Sequence, residues 1–476
     1  MTSTVELPLW LALAGGALCA WFLASRLLLP GVRWFFRRRI NKLTATLNRR
    51  LHLKIPPIAT TKREVLIDRL VYDPKVLREL ARYSETAGVP PDVAMRRVRH
   101  YAREIVPAFN AYLYFRLGNR LSRAIVNMLY RVRLGHADSR ALRQIPDNAS
   151  VVFVMNHRSN IDYILVAYLA SKRVALSYAV GEWARVWPIQ QIIRSLGAYF
   201  VRRGSGNELY RRVLERYVQM AIEGGSVQAI FPEGGLTRDG LLRPPKIGLL
   251  DYMLRSFDPA GERDIVFVPV GLNYDRVLED RTLLADDFAQ AERRSGLVAV
   301  GNTLRFVGSQ LWLRLRGRWY RFGYACANFG APISLKTYLK KAGWSPAALD
   351  REARGAKVTE LANDLMSAVG HVVPVLPVSL VARVFSDAPT GSYSEEEIRN
   401  RALELQRRFE ELGAHVYVPR SDPDYSVLVG LRMLTLRNLV LETEGRYSVN
   451  PDQLAAVRYY ANAIAHLTAP ARPSIE

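Results

Sequence analysis

Val151–Tyr163 reads VVFVMNHRSNIDY, an apolar run that breaks into a polar turn. Val151 to Met155 are mostly β-branched and predict a buried strand. Asn156 and His157 stand where that strand runs out, and Asp162 follows five residues after the histidine. On one continuous helix this spacing turns through roughly 500°, about 140° out of register, so the two side chains cannot share a helical face. They meet if His157 lies in a strand-to-helix turn and Asp162 in the first turn of a helix through DYILVAYLAS. A carboxylate there is favoured by the helix N-terminus. It also accepts the proton of one imidazole nitrogen and leaves the other neutral and basic. Such a pair would activate a substrate hydroxyl. The same residues also fit a plain polar turn in which Asp162 is only a cap.

Working outward, apolar runs recur at 174–180, 198–201, 227–231 and 265–270, with helix-like stretches between most of them. This alternation predicts an α/β core over residues 141–335, a largely parallel sheet with flanking helices. Polar residues at its strand ends would converge on one rim, where such sheets bind ligands. Three strand ends carry them. GAYFVRR ends in Arg202 and Arg203, two guanidiniums able to clamp a phosphate. FPEGGLTRDG is a tight loop offering Glu233, Gly234 and Arg238, with Lys246 beyond it. VPVGLNY is punctuated by Pro269.

The chain of 476 residues carries a formal charge of +23, dominated by arginine, and is 49% hydrophobic. That suits polyanionic partners such as anionic lipid, phosphorylated substrates or nucleic acid. No recognisable nucleic-acid module accompanies the charge, so nucleic acid is not an expected partner. The two cysteines, Cys19 and Cys326, are too few and too far apart for a disulfide framework or a zinc site. Metalloprotease, serine-hydrolase and P-loop signatures do not occur.

Residues 1–50 hold an almost wholly apolar run, Pro8–Ser25, followed by Arg33 and Arg37–Arg39. This predicts a membrane anchor, spanning or half-inserted, with the rest of the chain on the cytoplasmic side. Residues 51–140 read as helical. Asp73-Pro74 starts one helix, and DVAMRRVRHYAREIV sets an apolar face against arginines, the pattern of a membrane surface or of a solvated face over a core. Residues 336–476 read as a separate, mainly helical C-terminal domain, with a capping box from Ser394 to Glu397.

Four of these stretches, in order, resemble the sequence blocks of the glycerolipid acyltransferases. NHRSNID is similar to the catalytic block, GAYFVRR to the second, FPEGG with Arg238 to the third and VPVGLNY to the fourth. TKREVLIDRLV and YAREIVPAF upstream, and YYANAIAH near the end, resemble the long bacterial membrane-bound glycerol-3-phosphate acyltransferases. The chain departs from that pattern at Leu236 and Leu241, where those enzymes usually carry arginines.

The resemblance implies acyl transfer to glycerol 3-phosphate from acyl-CoA or acyl carrier protein, at the inner membrane of a bacterium, with no resident cofactor or metal. His157 would be the general base and Asp162 its orienting carboxylate. Arg202, Arg203, Arg238 and Lys246 would hold the acceptor phosphate, with Glu233, Gly234 and Pro269 shaping its pocket. A lysophosphatidate acyltransferase would share all four blocks. A basic protein that only binds membrane or nucleic acid explains the charge but not the order of the blocks.

Overall fold

The computed structural model describes residues 61, 63–109, 118–170, 176–180, 190–191, 194, 197–202, 205–284 and 321–468. The expected N-terminal anchor, its basic flank and Arg203 lie outside the described residues. Among the described residues no helix is long and apolar enough to cross a membrane.

Helices come first: α1 (Arg63–Val71), α2 (Pro74–Ala87), α3 (Pro91–Ile105) and α4 (Asn119–Leu129). Asp73 caps α2 by accepting from the Lys75 N–H, and Gly88 ends it in the left-handed region. The amphipathic face read from DVAMRRVRHYAREIV is real: Ala94, Val98, Ala102 and Ile105 are buried while Arg96 and Arg97 are exposed. That apolar face packs into the protein core with α1 and α2.

The core that follows is an eight-stranded sheet. Its strands are β1 (Arg131–Ala137), β2 (Ser150–Met155), β3 (Ser177–Val180), β4 (Ala198–Phe200), β5 (Gln228–Ile230), β6 (Ile265–Tyr274), β7 (Tyr324–Phe329) and β8 (Ile333–Ser334). Between them lie α5 (Asp162–Ala170), α6 (Glu208–Glu223) and α7 (Gly248–Leu254). The spatial order is β1-β7-β6-β2-β5-β3-β4, with β8 also on β6. Pairings from β6 through β2, β5 and β3 to β4 are all parallel; β7 and β8 run antiparallel to β6. The sheet is thus largely parallel, as the alternation predicted.

Among the strands of this sheet, β1, β7 and the short β8 were not anticipated. β1 falls in the stretch read as helical; most of its side chains are exposed and, among the described residues, it pairs on one edge only, with β7. β7 is built on Ala325, Cys326 and Ala327, small residues without a strong strand signature.

Alternation along the central strands divides the core into two layers. Val152, Val154 and Phe267 point to the layer of α1–α3, α6 and α7. Phe153, Met155 and Val268 point to the layer of α4 and α5. Residues 336–476 were read as a separate domain; the described residues, theirs included, cluster into one compact unit. Helix α8 (Arg351–His371) covers the first face, and α9 (Pro377–Asp387), α10 (Glu395–Glu411), α11 (Pro423–Thr435) and α12 (Leu454–Asn462) build onto the second. Their own sheet is small: β9 (Ser392–Ser394), β10 (Val440–Thr443) and β11 (Arg446–Val449). The capping box from Ser394 to Glu397 forms as read.

Candidate active site

The C-terminal ends of β2, β4, β5 and β6 lie on one rim, and the polar stretches meet there. Asn156 prolongs the β2–β6 ladder with its side chain: its Nδ2 donates to the Leu272 carbonyl at 2.9 Å and its Oδ1 accepts the Leu272 N–H at 2.8 Å. This pins the chain just before His157. The helix α5 then begins at Asp162, so the pair occupies the turn and first helical residue that the spacing required.

His157 Nδ1 is 2.9 Å from Asp162 Oδ2. The same oxygen accepts the backbone N–H groups of Arg158 and Ser159 at 2.8 and 3.0 Å. Asp162 Oδ1 accepts the Tyr274 hydroxyl at 2.6 Å. Asp162 is 0% exposed and His157 3%. A carboxylate so fully hydrogen-bonded is an acceptor for the imidazole and a fixed anion beside it. Burial, and then the Asp162 charge, hold the Tyr274 phenol well above its ordinary range, so it stays a donor. With Nδ1 engaged, Nε2 is the nitrogen left to take a proton.

His157 lines a cavity of about 380 Å³. Its walls are largely apolar, including Ala179, Val180, Leu214, Ile230, Phe231 and Leu250, and Arg202, Arg211 and Lys246 bring positive charge to it. Gly234 also lines it, at φ +67°; a β-carbon there would come within 2.7 Å of Lys246 Cδ. Glycine at this position therefore admits both the turn and the lysine.

The remaining candidates are placed differently. Arg238 is exposed and does not line the cavity. Pro269 is buried in the middle of β6, opposite Val154, where the antiparallel partner changes from β8 to β7 and a missing N–H costs no ladder bond. Leu236 is partly buried against the core and Leu241 is 41% exposed; neither lines the cavity.

Glu233 is 1% exposed and is not among the residues lining the cavity. Burial pushes its carboxyl up to about 8, against the opposing pull of the Arg158 guanidinium and the His157 backbone. The folded protein thus keeps a proton that the unfolded chain releases near pH ~4.3. With fewer protons bound when unfolded, stability falls as pH rises through the window up to about 8. Glu279 and Asp275, each pushed up to about 7 by burial, act in the same direction. Glu233→Gln is expected to flatten the loss of melting temperature across the window from pH ~4.3 up to about 8, and to leave the slope above that window unchanged. Parallel melting curves for variant and wild type across that range would refute the assignment.

Four residues that position the site carried no role in the sequence reading: Tyr274, Glu279, Arg158 and Glu104. Tyr274 lay within VPVGLNY, two residues beyond the Leu272 rung that holds Asn156. Glu279 accepts the Ser159 hydroxyl at 2.7 Å and the Asn160 N–H at 3.1 Å, fixing the far side of the turn. Arg158 is 1% exposed and donates to the carbonyls of Gly240 and Ala463. It thereby ties the catalytic-block turn to the FPEGG loop and to the segment after α12. Gly240, at φ +84°, makes that contact possible, since a β-carbon would lie 1.9 Å from the Tyr459 carbonyl oxygen. Asn462 adds a bond from its Nδ2 to the Asp239 carbonyl at 2.9 Å. Glu104 grips Arg202 from α3.

The chain is similar to known proteins over two stretches. Residues 136–273 match the family described as Acyltransferase, and residues 311–472 match the Glycerol-3-phosphate acyltransferase C-terminal region. Curated relatives named glycerol-3-phosphate acyltransferase include that of Alteromonas mediterranea, 27% identical over 86% of this chain and 50% of the relative. Those of Aeromonas hydrophila and Pseudomonas aeruginosa are 27% and 28% identical over 88% and 91% of this chain, and 52% of each relative. The chain spans about half the length of the curated relatives it matches. A solved 1-acyl-sn-glycerophosphate acyltransferase from Thermotoga maritima aligns at 15% identity and a TM-score of 0.29, over 64% of this chain and 98% of that one, too low a score for an argument from fold. Residues 136–273 are thus similar to the acyltransferase family, and residues 311–472 to the C-terminal region of the glycerol-3-phosphate acyltransferases.

Proposed function

We propose that the chain is a glycerol-3-phosphate 1-O-acyltransferase, taking a fatty acyl group from acyl-CoA or acyl carrier protein and producing lysophosphatidate. The observation that carries the reading is a buried His157–Asp162 pair at a cavity that also presents Arg202, Arg211 and Lys246. The acceptor hydroxyl attacks the thioester carbonyl while His157 Nε2 takes its proton. Asp162 stabilises the imidazolium, which then returns the proton to the departing thiol as the carbon–sulfur bond breaks. Arg202 and Lys246 receive the acceptor phosphate, while the apolar walls suit the acyl chain. The acyl thioester is a co-substrate, and the reading calls for no resident cofactor.

Arg203, outside the described residues, would add a second guanidinium beside Arg202. Arg238 has no place in this reading of the cavity. The same proposal places the protein at the cytoplasmic face of a bacterial inner membrane, held by the apolar run in residues 1–50 and by anionic lipid at its basic faces. The observation that would favour lysophosphatidate as acceptor is the pair of leucines in the third block, but neither Leu236 nor Leu241 lines the cavity.

Acceptor choice is tested head to head, with labelled acyl-CoA and acyl carrier protein as donors and the ratio kcat/KM as readout. Glycerol 3-phosphate is expected to win, with lysophosphatidate a poor acceptor. A higher ratio for lysophosphatidate would overturn the reading.

A further inference from the structure

We infer that Glu104, on α3 and upstream of the acyltransferase match, is the positioning residue that aims Arg202 at the acceptor phosphate. The inference rests on the acceptor-site reading above. Arg202 Nε donates to Glu104 Oε1 at 2.9 Å and Nη2 to Oε2 at 2.6 Å. The Glu104 side chain is 10% exposed and that of Arg202 32%. The guanidinium carbon lies 5.3 Å from the Tyr101 ring centroid and 5.2 Å from that of Tyr210, while the Arg202 N–H donates to the Tyr210 hydroxyl at 3.0 Å. Two aromatic rings and a two-pronged carboxylate therefore fix the plane of the guanidinium.

The consequence follows from the arginine's donors. A guanidinium has five N–H groups. Glu104 takes the Nε–H and one hydrogen of Nη2, leaving both hydrogens of Nη1 and the second of Nη2. Arg202 still lines the cavity, in company with Lys246 and Arg211. An arginine on a free stem loses rotamer entropy when it captures an anion, whereas one already held does not. The charge of Glu104 works the other way, since it partly neutralises the cation that the phosphate seeks. The sign of the mutational effect therefore decides between an aiming residue and a competitor.

The experiment uses the full chain in membranes or detergent. Glu104→Ala is expected to raise KM for glycerol 3-phosphate by about tenfold while kcat and KM for acyl-CoA stay within about twofold. Glu104→Gln, which keeps the shape and one hydrogen bond, is expected to fall between it and wild type and guards against misfolding of the alanine variant. On an Arg202→Ala background the Glu104 substitutions should add little, because the residue acts through the arginine. A lowered KM would show a competitor, and an unchanged KM or full additivity with Arg202→Ala would show independence; each overturns the inference. If wild type does not acylate glycerol 3-phosphate, the acceptor reading has failed. The same cycle run on lysophosphatidate, which carries the same phosphate monoester, then decides the role of Glu104 on its own.

Discussion

Replacing His157 by alanine is expected to lower acyl transfer by about 10²–10⁴-fold, the usual contribution of a positioned general base. The fold should survive the change. His157 lies against Phe231, ring centroids 4.2 Å apart, and against Tyr163 at 5.6 Å, but the ring faces a cavity rather than filling the core. Its main chain is held independently by the Asn156 ladder bonds and by the Thr237 N–H, which donates to the His157 carbonyl at 3.3 Å. Truncation enlarges an existing space, which costs less than opening a new one inside a packed core. The check is initial velocity at saturating donor and acceptor, beside a melting curve. A folded variant with near-full activity would remove His157 from the chemistry and leave the acyltransferase reading without its base.

The parts legible in the sequence are those that local physics dictates. A β-branched run broken by asparagine and histidine predicts a strand end, and a histidine and aspartate five residues apart can meet across a turn into a helix. Both are found, with strands at the expected places. What escaped is long-range. β1 is an edge strand whose exposed arginines look like a helix surface until β7, nearly two hundred residues on, pairs with it. The C-terminal part was legible as mainly helical, but helix content does not say what covers an apolar helix face, and here α9 and α12 pack in the central sheet's second layer.

The same limit governs the site. Arg202, Arg238 and Lys246 were equally good candidates by residue type. Only the fold separates two at the cavity from one on the surface. Arg158 stood beside His157 with no role, because its partners are the carbonyls of Gly240 and Ala463, and a backbone carbonyl has no sequence signature. Glu233 looked like a pocket carboxylate, yet among the described residues one of its oxygens is buried without a hydrogen-bond partner, and the group does not line the cavity.

Asp162→Asn is expected to reduce turnover by about 10²-fold, nearer the lower end of what such a pair contributes than the upper. An asparagine beside a catalytic imidazole is most damaging when its amide N–H faces the ring and forces the wrong tautomer. Here the oxygen that meets His157 Nδ1 also receives two backbone N–H groups, from Arg158 and Ser159. Those donors compel the amide to place its oxygen at that position and its nitrogen toward Tyr274. The tyrosine hydroxyl can turn to accept, so the tautomer survives and the loss is that of the negative charge facing the imidazolium. Asp162→Ala differs in kind. It leaves those two N–H groups and the Tyr274 hydroxyl buried without an acceptor, at about 1–3 kcal/mol apiece, and stability as well as turnover should collapse. Paired kinetics and melting curves separate the two variants: Asn inactive but stable, Ala inactive and unstable. If the asparagine variant keeps wild-type turnover, Asp162 is a helix cap and the imidazole needs no anion beside it.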